Sequence, residues 1–421
     1  MEGKGIRGHR ITRRGALAGA ALVGIGAGID RLVGGAGGGS EGSEGGAASV
    51  PFHGARQAGI ATPQPEYLEF ATFDLDSDAP EQLRGLLQEW TGAAASLAKG
   101  GSNEQGGTAE PGGAPVDPGE AVGLGPAQLT ITFGFGPSLF EGRRAERLGI
   151  GQRRPSALRP LPPFQGESLE PGRCGGDLCV QACAADPQVA FHAVHVLTRI
   201  AAGAATLRWS QQGFGRTSST GREQPTLRNL MGFKDGTNNI RGEDEQAMGE
   251  HVWVQPGDGP AWMEGGTYLV ARRIKMLLDV WDATSLEGQE RAIGREKVSG
   301  APLGQADEFD PVELDAREGG QPMIPPDSHI RLAGPERNGG HRLLRRGFSY
   351  AEPALAGAGQ IDAGLFFISF QRDPARQFVP MQRRLAASDA LSRHILHTGS
   401  AVFACPPGTR PGGFVGEGLF A

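Results

Sequence analysis

One pattern occurs twice along this chain, and it constrains the fold more than any other feature. An apolar run, LCVQACA at 178–184, leads into Asp186-Pro187. A second, GLFFISFQR at 364–372, leads into Asp373-Pro374, 187 positions further on. Asp before Pro is a helix-start signal, with the carboxylate as N-cap and Pro at the first helical position. After the first junction Val189, Val194, Val196, Leu197 and Ile200 recur at helical spacing. A strand-then-helix pair also precedes each junction. It is Tyr67–Leu75 with Pro80–Leu97 in the first half, and Thr267–Trp281 with Ser285–Ile293 in the second. Closing strands are expected near Thr206–Gly213 and Ser400–Ala404. Each half thus reads strand, helix, strand, strand, helix, strand, the order of a ferredoxin-like unit. The expected fold class is α+β, with two such units, at 49–222 and 223–421, packed sheet against sheet and a pocket between sheet and helices.

A length of 421 residues suits two units of this size. The 69 glycines are about twice the usual share, and many lie in tracts that read as linkers. One tract, 99–128, holds Gly, Pro, Ala and Glu with few large apolar residues, and is expected to be a mobile surface loop between the first helix and the strand Leu129–Phe133. The formal net charge is -6, and no basic patch interleaved with aromatics exists, which argues against nucleic acid as a partner. Cys174, Cys179, Cys183 and Cys405 do not have a standard zinc spacing; core or loop thiols are the simplest reading, with a disulfide or metal ligation as alternatives.

Residues 1–14 carry Lys4, Arg7, Arg10, Arg13 and Arg14, followed by GALAGAALVGIGAGI at 15–29. This apolar run is too short and too rich in Gly and Ala for a good membrane span. A basic head before such a run reads as an export signal, and Thr12-Arg13-Arg14 as a twin-arginine signal. The twin-arginine translocase is then a partner during export, and the mature chain is periplasmic or extracellular, without a stable membrane span. Segment 1–48 is read as signal and linker, with cleavage between Gly34 and Ala48. Its removal leaves a body with a formal charge near -8.

Three clusters carry candidate chemistry. In MGFKDGTNN, 231–239, glycines at 232 and 236 flank Asp235 and allow a tight turn close to a ligand. Read alone, Asp-Gly is a turn signal. In IPPDSHIRL, 324–332, a single His329 follows a Pro pair and enters an apolar, strand-like stretch. Alone, it reads more readily as a hydrogen-bonded structural histidine than as a metal ligand. In HRLLRRGFSY, 341–350, an extended backbone would send Arg345 and Arg346 to opposite faces, one into a pocket and one into solvent. Together they meet the needs of peroxide chemistry on haem. A neutral imidazole binds iron, a carboxylate moves a proton between peroxide oxygens, and a guanidinium stabilises the charge that develops as the O–O bond breaks. His192 and His195, at i and i+3 on one helix, could suit a metal, although core or surface roles are the simpler reading.

These clusters also resemble a known family. GFKDGT at 232–237 resembles the Gly-x-x-Asp-Gly signature of the dye-decolorizing peroxidases. HIRLAGP at 329–335 resembles their proximal-haem segment, and LRRGFSY at 344–350 the segment bearing their distal arginine. HGARQAGIATPQP at 53–65, GGTYLVARRIKMLLDVW at 265–281 and GREKVSGAPLG at 294–304 are similar to the family too. The likeness is nearest to its exported deferrochelatase/peroxidase group.

The resemblance implies a dimeric α+β barrel with haem b, one per chain, between sheet and helices. It implies Asp235 as distal acid–base, Arg345 as distal arginine with Arg346 as the alternative register, and His329 as the axial iron ligand. Gly236, Thr237 and Asn238 would lie against the haem, with Gly334, Pro335 and Glu336 as a second contact stretch. Gly334-Pro335 stands where the family has Asn-Pro. Asp373 would accept the proximal imidazole N–H, in competition with its helix-capping role. H2O2 and an organic donor, such as a dye, a phenol or a porphyrinogen, are the implied substrates. Tyr268, Trp281 and Tyr350 are candidates for relaying electrons from surface donors, and a homo-oligomer is expected. Two other functions fit the sequence: a deferrochelatase-like protein releasing iron from haem, and a haem-free extracytoplasmic binding protein.

Overall fold

The computed structural model describes residues 48–101, 115, 117–221, 223–353 and 361–421. The segment 1–47, read as part of an export signal and linker, and residues 102–114 and 116 of the 99–128 tract lie outside the described residues. The first half runs β1 (Tyr67–Leu75), α1 (Pro80–Leu97), β2 (Thr130–Phe135), α2 (Gly142–Arg147), β3 (Leu178–Ala184), α3 (Pro187–Ala201) and β4 (Ala205–Arg216). The second half runs α4 (Glu245–His251), β5 (Thr267–Met276), α5 (Leu278–Asp282), α6 (Leu286–Ile293) and the small hairpin β6 (Arg317–Glu318) and β7 (Gln321–Pro322). It continues with α7 (His329–Ala333), β8 (Leu344–Arg345), β9 (Phe348–Glu352), β10 (Asp362–Gln371), α8 (Phe378–Ser388) and β11 (Ile395–Cys405).

All strands except the small hairpin join one antiparallel sheet in the order β5-β11-β2-β3-β1-β4-β9-β10-β8, and β5 also pairs with β10. The sheet therefore closes on itself as a barrel. Within it, β4-β1-β3-β2 and β9-β10-β5-β11 are two ferredoxin-like sheets. They face each other across the barrel and are also stitched edge to edge. One seam is Ala404 against Phe135, and the other pairs Phe214 with Ser349 and Arg216 with Phe348. Closure leaves few unpaired edges, the usual liability of a sheet.

Strand alternation divides the side chains between two faces. Phe70, Phe366 and Phe403 fill the barrel interior together with a buried Arg273. Its guanidinium bonds Gln211, Thr398 and Asp362 and lies 4.2 Å over the Tyr350 ring. Outside the first half, α1 and α3 cover the sheet. Trp90 stacks on Phe133 at 5.5 Å and donates its indole N–H to Leu197 O at 2.8 Å. Here α1 and α3 bury their apolar faces in one continuous hydrophobic cluster with the sheet. The corresponding outer face of the second half carries shorter helices and is hollow.

Several local readings need correction. The run from Thr267 does not stay extended to Trp281. β5 ends at Met276 and the chain turns into α5, where buried Trp281 donates to Met231 O at 3.0 Å. His329 opens a short helix rather than a strand, because the Pro pair ends just before it and a single turn follows. Asp186 caps α3 through the amides of Gln188 and Val189. Asp373 instead holds Ala375 N and Arg376 N in a turn, and α8 begins only at Phe378. The four cysteines are unpaired, and three are buried. Among the described residues no helix is long and apolar enough to cross a membrane.

Candidate active site

A cavity of about 480 Å³ lies on the outer face of the second-half sheet, under α7 and α8. β5 contributes Ile274 and Met276, β10 contributes Leu365 and Phe367, and α8 contributes Met381 and Leu385. These apolar walls are joined by a few converging polar groups, the usual makeup of a cofactor pocket. Asp235, Gly236, Thr237, Asn238, His329, Gly334, Pro335, Glu336 and Arg345 all line it, and Asp373 does not.

Asp235 sits on a turn that needs Gly236 at φ 96, where an added Cβ would meet Ser218 Cα at 2.9 Å. The Asp235 amide donates to Leu227 O at 3.0 Å, and its carboxylate accepts from Asn229 Nδ2 at 3.3 Å and from Arg345 Nη1 at 2.8 Å. Arg345 is itself held by Asn239, whose amide group bonds both the N–H and the C=O of Arg345 at 2.8 Å. The loop that supplies the carboxylate thereby also fixes the arginine's backbone. Thr237 and Lys234 are tied to Glu308 at 3.0 and 2.5 Å, which braces the same loop from outside.

Arg345 and Arg346 do face opposite ways, but neither lies in open solvent. Arg346 is wholly buried on the barrel side, donating to Thr62 O and, at 3.1 Å, to Thr220 Oγ1. The pocket arginine is therefore Arg345.

His329 Nδ1 is 2.7 Å from Asp389 Oδ2. A carboxylate only accepts, so Nδ1 carries the proton and the lone pair is on Nε2. Asp389 is placed by its own neighbours: its Oδ1 accepts from Leu391 N at 2.9 Å, and Ala390 N donates to Asp327 O beside the Pro pair. Burial works against a charged His329 ring, but the Asp389 charge, the hydrogen bond and Asp235 outweigh burial and the opposing Arg345, raising its pKa. The role expected of Asp373 thus falls to Asp389. The family resemblance pointed to Asp373 for this role, and Asp389, at the end of α8, carries no distinct local signal. Asn239 lay inside the quoted motif without a role. Tyr268, Trp281 and Tyr350 are each about 1% exposed, so none offers a surface for a bulky donor.

The cavity suits haem on its own chemistry. It has an imidazole whose Nε2 is left for iron, apolar walls for a porphyrin, and the guanidinium groups of Arg342 and Arg393 for its carboxylates. Such a pocket on a closed double ferredoxin-like barrel defines a haem peroxidase class. Comparison with known proteins agrees. Residues 57–215 match the Dyp-type peroxidase N-terminal family and residues 226–410 the Dyp-type peroxidase C-terminal family. The chain belongs to the Dyp-type peroxidase family. It is 43% identical over 377 residues to a dye-decolorizing peroxidase of Thermobifida fusca, covering 87% of this chain and 84% of that one. It is 35% identical over 367 residues to a deferrochelatase of Escherichia coli K12, covering 86% and 84%. Ferric DtpA from Streptomyces lividans has the same fold, with TM-score 0.80 and 40% identity, covering 89% of this chain and 98% of that one. The protein is a haem-dependent peroxidase, with peroxide and an electron donor as its substrates.

Proposed function

We propose that Asp235, Arg345 and His329 divide the work of peroxide reduction in this cavity, and that Asp389 tunes it. The observation that carries this reading is the 2.8 Å Asp235–Arg345 pair lining the same cavity as His329. His329 Nε2 would hold the iron of a bound haem, which would supply the two electrons needed to cleave the O–O bond. Asp235 takes the proton from one peroxide oxygen and returns it to the other, which leaves as water. Arg345 stabilises the negative charge that develops on the separating oxygens. Asp389 holds the Nδ1 proton and makes His329 a stronger donor to iron. Two one-electron donors complete the balance, so one H2O2 yields two waters and two oxidised donor radicals.

The donor is proposed to be a dye, a phenol or a porphyrinogen. Iron release from haem is the second reading, supported by the relative named deferrochelatase. Formation of iron-free protoporphyrin from added haem would favour it, and H2O2-dependent donor oxidation favours the peroxidase role. The deciding experiment compares hemin-loaded wild type with His329→Ala. A Soret band that the substitution shifts or abolishes is expected, and identical spectra would remove His329 as ligand.

Export by the twin-arginine translocase to the periplasm or beyond is also proposed, on the Arg13-Arg14 step and the apolar run behind it. Replacing both arginines by Lys should retain the precursor inside the cell; undiminished export would reject the assignment. Self-association is the family-level expectation, and sedimentation velocity tests it.

A further inference from the structure

A second polar cluster lies outside the first-half sheet, and none of its residues lines the haem cavity. Helix α3 turns His192 and His195 to one side, three positions apart. The returning limb of the Gly- and Pro-rich insertion folds onto them. Glu120 Oε2 lies 2.8 Å from His192 Nδ1, Glu120 Oε1 contacts His195 Nδ1, and Gln188 Nε2 donates to Glu120 O. Asp117 Oδ1 fixes the turn by accepting from Gly119 N at 2.7 Å.

The His192 ring is only 2% exposed, yet its Nε2 is buried without a hydrogen-bond partner. The nearest carboxylate oxygen, Asp117 Oδ2, is 3.5 Å away. That is long for a charge-assisted N–H···O bond, which prefers about 2.7–2.9 Å. It fits a shared ion. A tetrahedral Zn2+ with nitrogen and oxygen ligands at about 2.0–2.2 Å holds those two atoms about 3.4 Å apart. One donor atom from each of Asp117, Glu120 and His192 lies within 4.8 Å of the others. Glu120 takes the Nδ1 proton, which leaves the lone pair of His192 on Nε2 facing Asp117. A carboxylate holding the far nitrogen of a metal-bound histidine is a recurrent outer-shell arrangement.

We infer that Asp117 and His192, oriented by Glu120, form a divalent-cation site of the zinc type that pins the insertion to α3. Asp117 Oδ2 and His192 Nε2 are the inner ligands, Glu120 sets the ring and balances charge, and water fills the remaining positions. Mixed imidazole and carboxylate donors suit Zn2+ better than Mg2+ or Ca2+, which prefer oxygen alone. The site is structural, because the face of α3 away from the histidines packs into the first-half core through Ala190, Ala193 and Leu197.

The test is zinc binding by the haem-loaded full chain, measured by titration calorimetry with Zn2+ and by elemental analysis after desalting. Wild type should retain one Zn2+ per chain beyond the haem iron and show a higher Tm with Zn2+ than with EDTA. Asp117→Asn and His192→Ala should each lose that ion and the Tm response. Glu120→Gln should weaken zinc binding about 10–100-fold. Asp117→Asn changes one atom on a surface turn, so it keeps the test valid if His192→Ala fails to fold. Failure of wild type to bind Zn2+, or an equal zinc content in Asp117→Asn, would overturn the inference. So would a His192 ring that remains doubly protonated by NMR at pH 8 with Zn2+ present, since a charged imidazolium bridging the two carboxylates would then explain the cluster.

Discussion

Asp389 Oδ2 accepts the Nδ1 proton of His329 at 2.7 Å while Asp389 Oδ1 holds Leu391 N, so both carboxylate oxygens are committed. Asp389→Asn can still accept a hydrogen bond but brings no charge. Turnover or haem affinity should fall about 10–100-fold, the usual cost of an outer-shell change. The reduction potential of the bound haem should rise, because the axial ligand donates less. Potentiometric titration with steady-state kinetics checks this, and an unchanged potential would leave Asp389 a merely structural partner.

Asp235→Asn should keep haem binding and lose peroxide reactivity by about 10²–10⁴-fold, the range for a positioned acid–base. Arg345→Leu should cost about 10²–10³-fold, as for loss of one preorganised charge donor. The two losses should not add, since the side chains bond each other. Stopped-flow mixing with H2O2 measures both single variants and the double variant. Additive effects would mean that the pair does not act as a unit.

Gly236 stands at φ 96 with Ser218 Cα 2.9 Å from where a Cβ would be. Gly236→Ala should therefore destabilise the protein by roughly 1–3 kcal/mol, and disturb the neighbouring Asp235. Urea unfolding reads the first effect and peroxide kinetics the second. A variant as stable and active as wild type would show that the turn relaxes freely.

His397 lines the cavity, and burial together with the nearby Arg272 pushes its pKa down to about 3. The folded ring stays neutral where the unfolded ring, with its ordinary value near 6.5, takes up a proton. Its contribution to stability is therefore present above about pH 6.5 and is lost as pH falls towards 3, with a slope of up to about 1.4 kcal/mol per pH unit. Between pH 7 and 4 the Tm of wild type should fall more steeply than that of His397→Leu. Parallel profiles would exclude this residue as a source of acid sensitivity.

The alternating and helical patterns that build the two halves were legible because hydrophobic period reports local geometry directly. Asp235, His329 and Arg345 were legible because each stands in a short motif beside Gly, Pro or Leu. The limits are equally physical. Asp389 reaches His329 across 60 positions through a turn after α8, and nothing local marks it. Asn239 acts on Arg345 across 106 positions, a contact that only the folded sheet creates. The Asp-Pro repeat signals a helix start at both sites, yet the two sites differ. It caps a helix at Asp186 but only shapes a turn at Asp373, because α8 starts later than α3 relative to its proline. Trp281 looked like part of a strand because its run stays apolar past Met276, and hydrophobicity alone does not say where a strand stops.

The seam of Ala404 with Phe135 joins β11 to β2. β11 also supplies Ile395 and His397 to the cavity. A nascent chain therefore has no finished haem site until β11 has been made, and any product truncated before it would be left with open sheet edges on both halves and no site to fill.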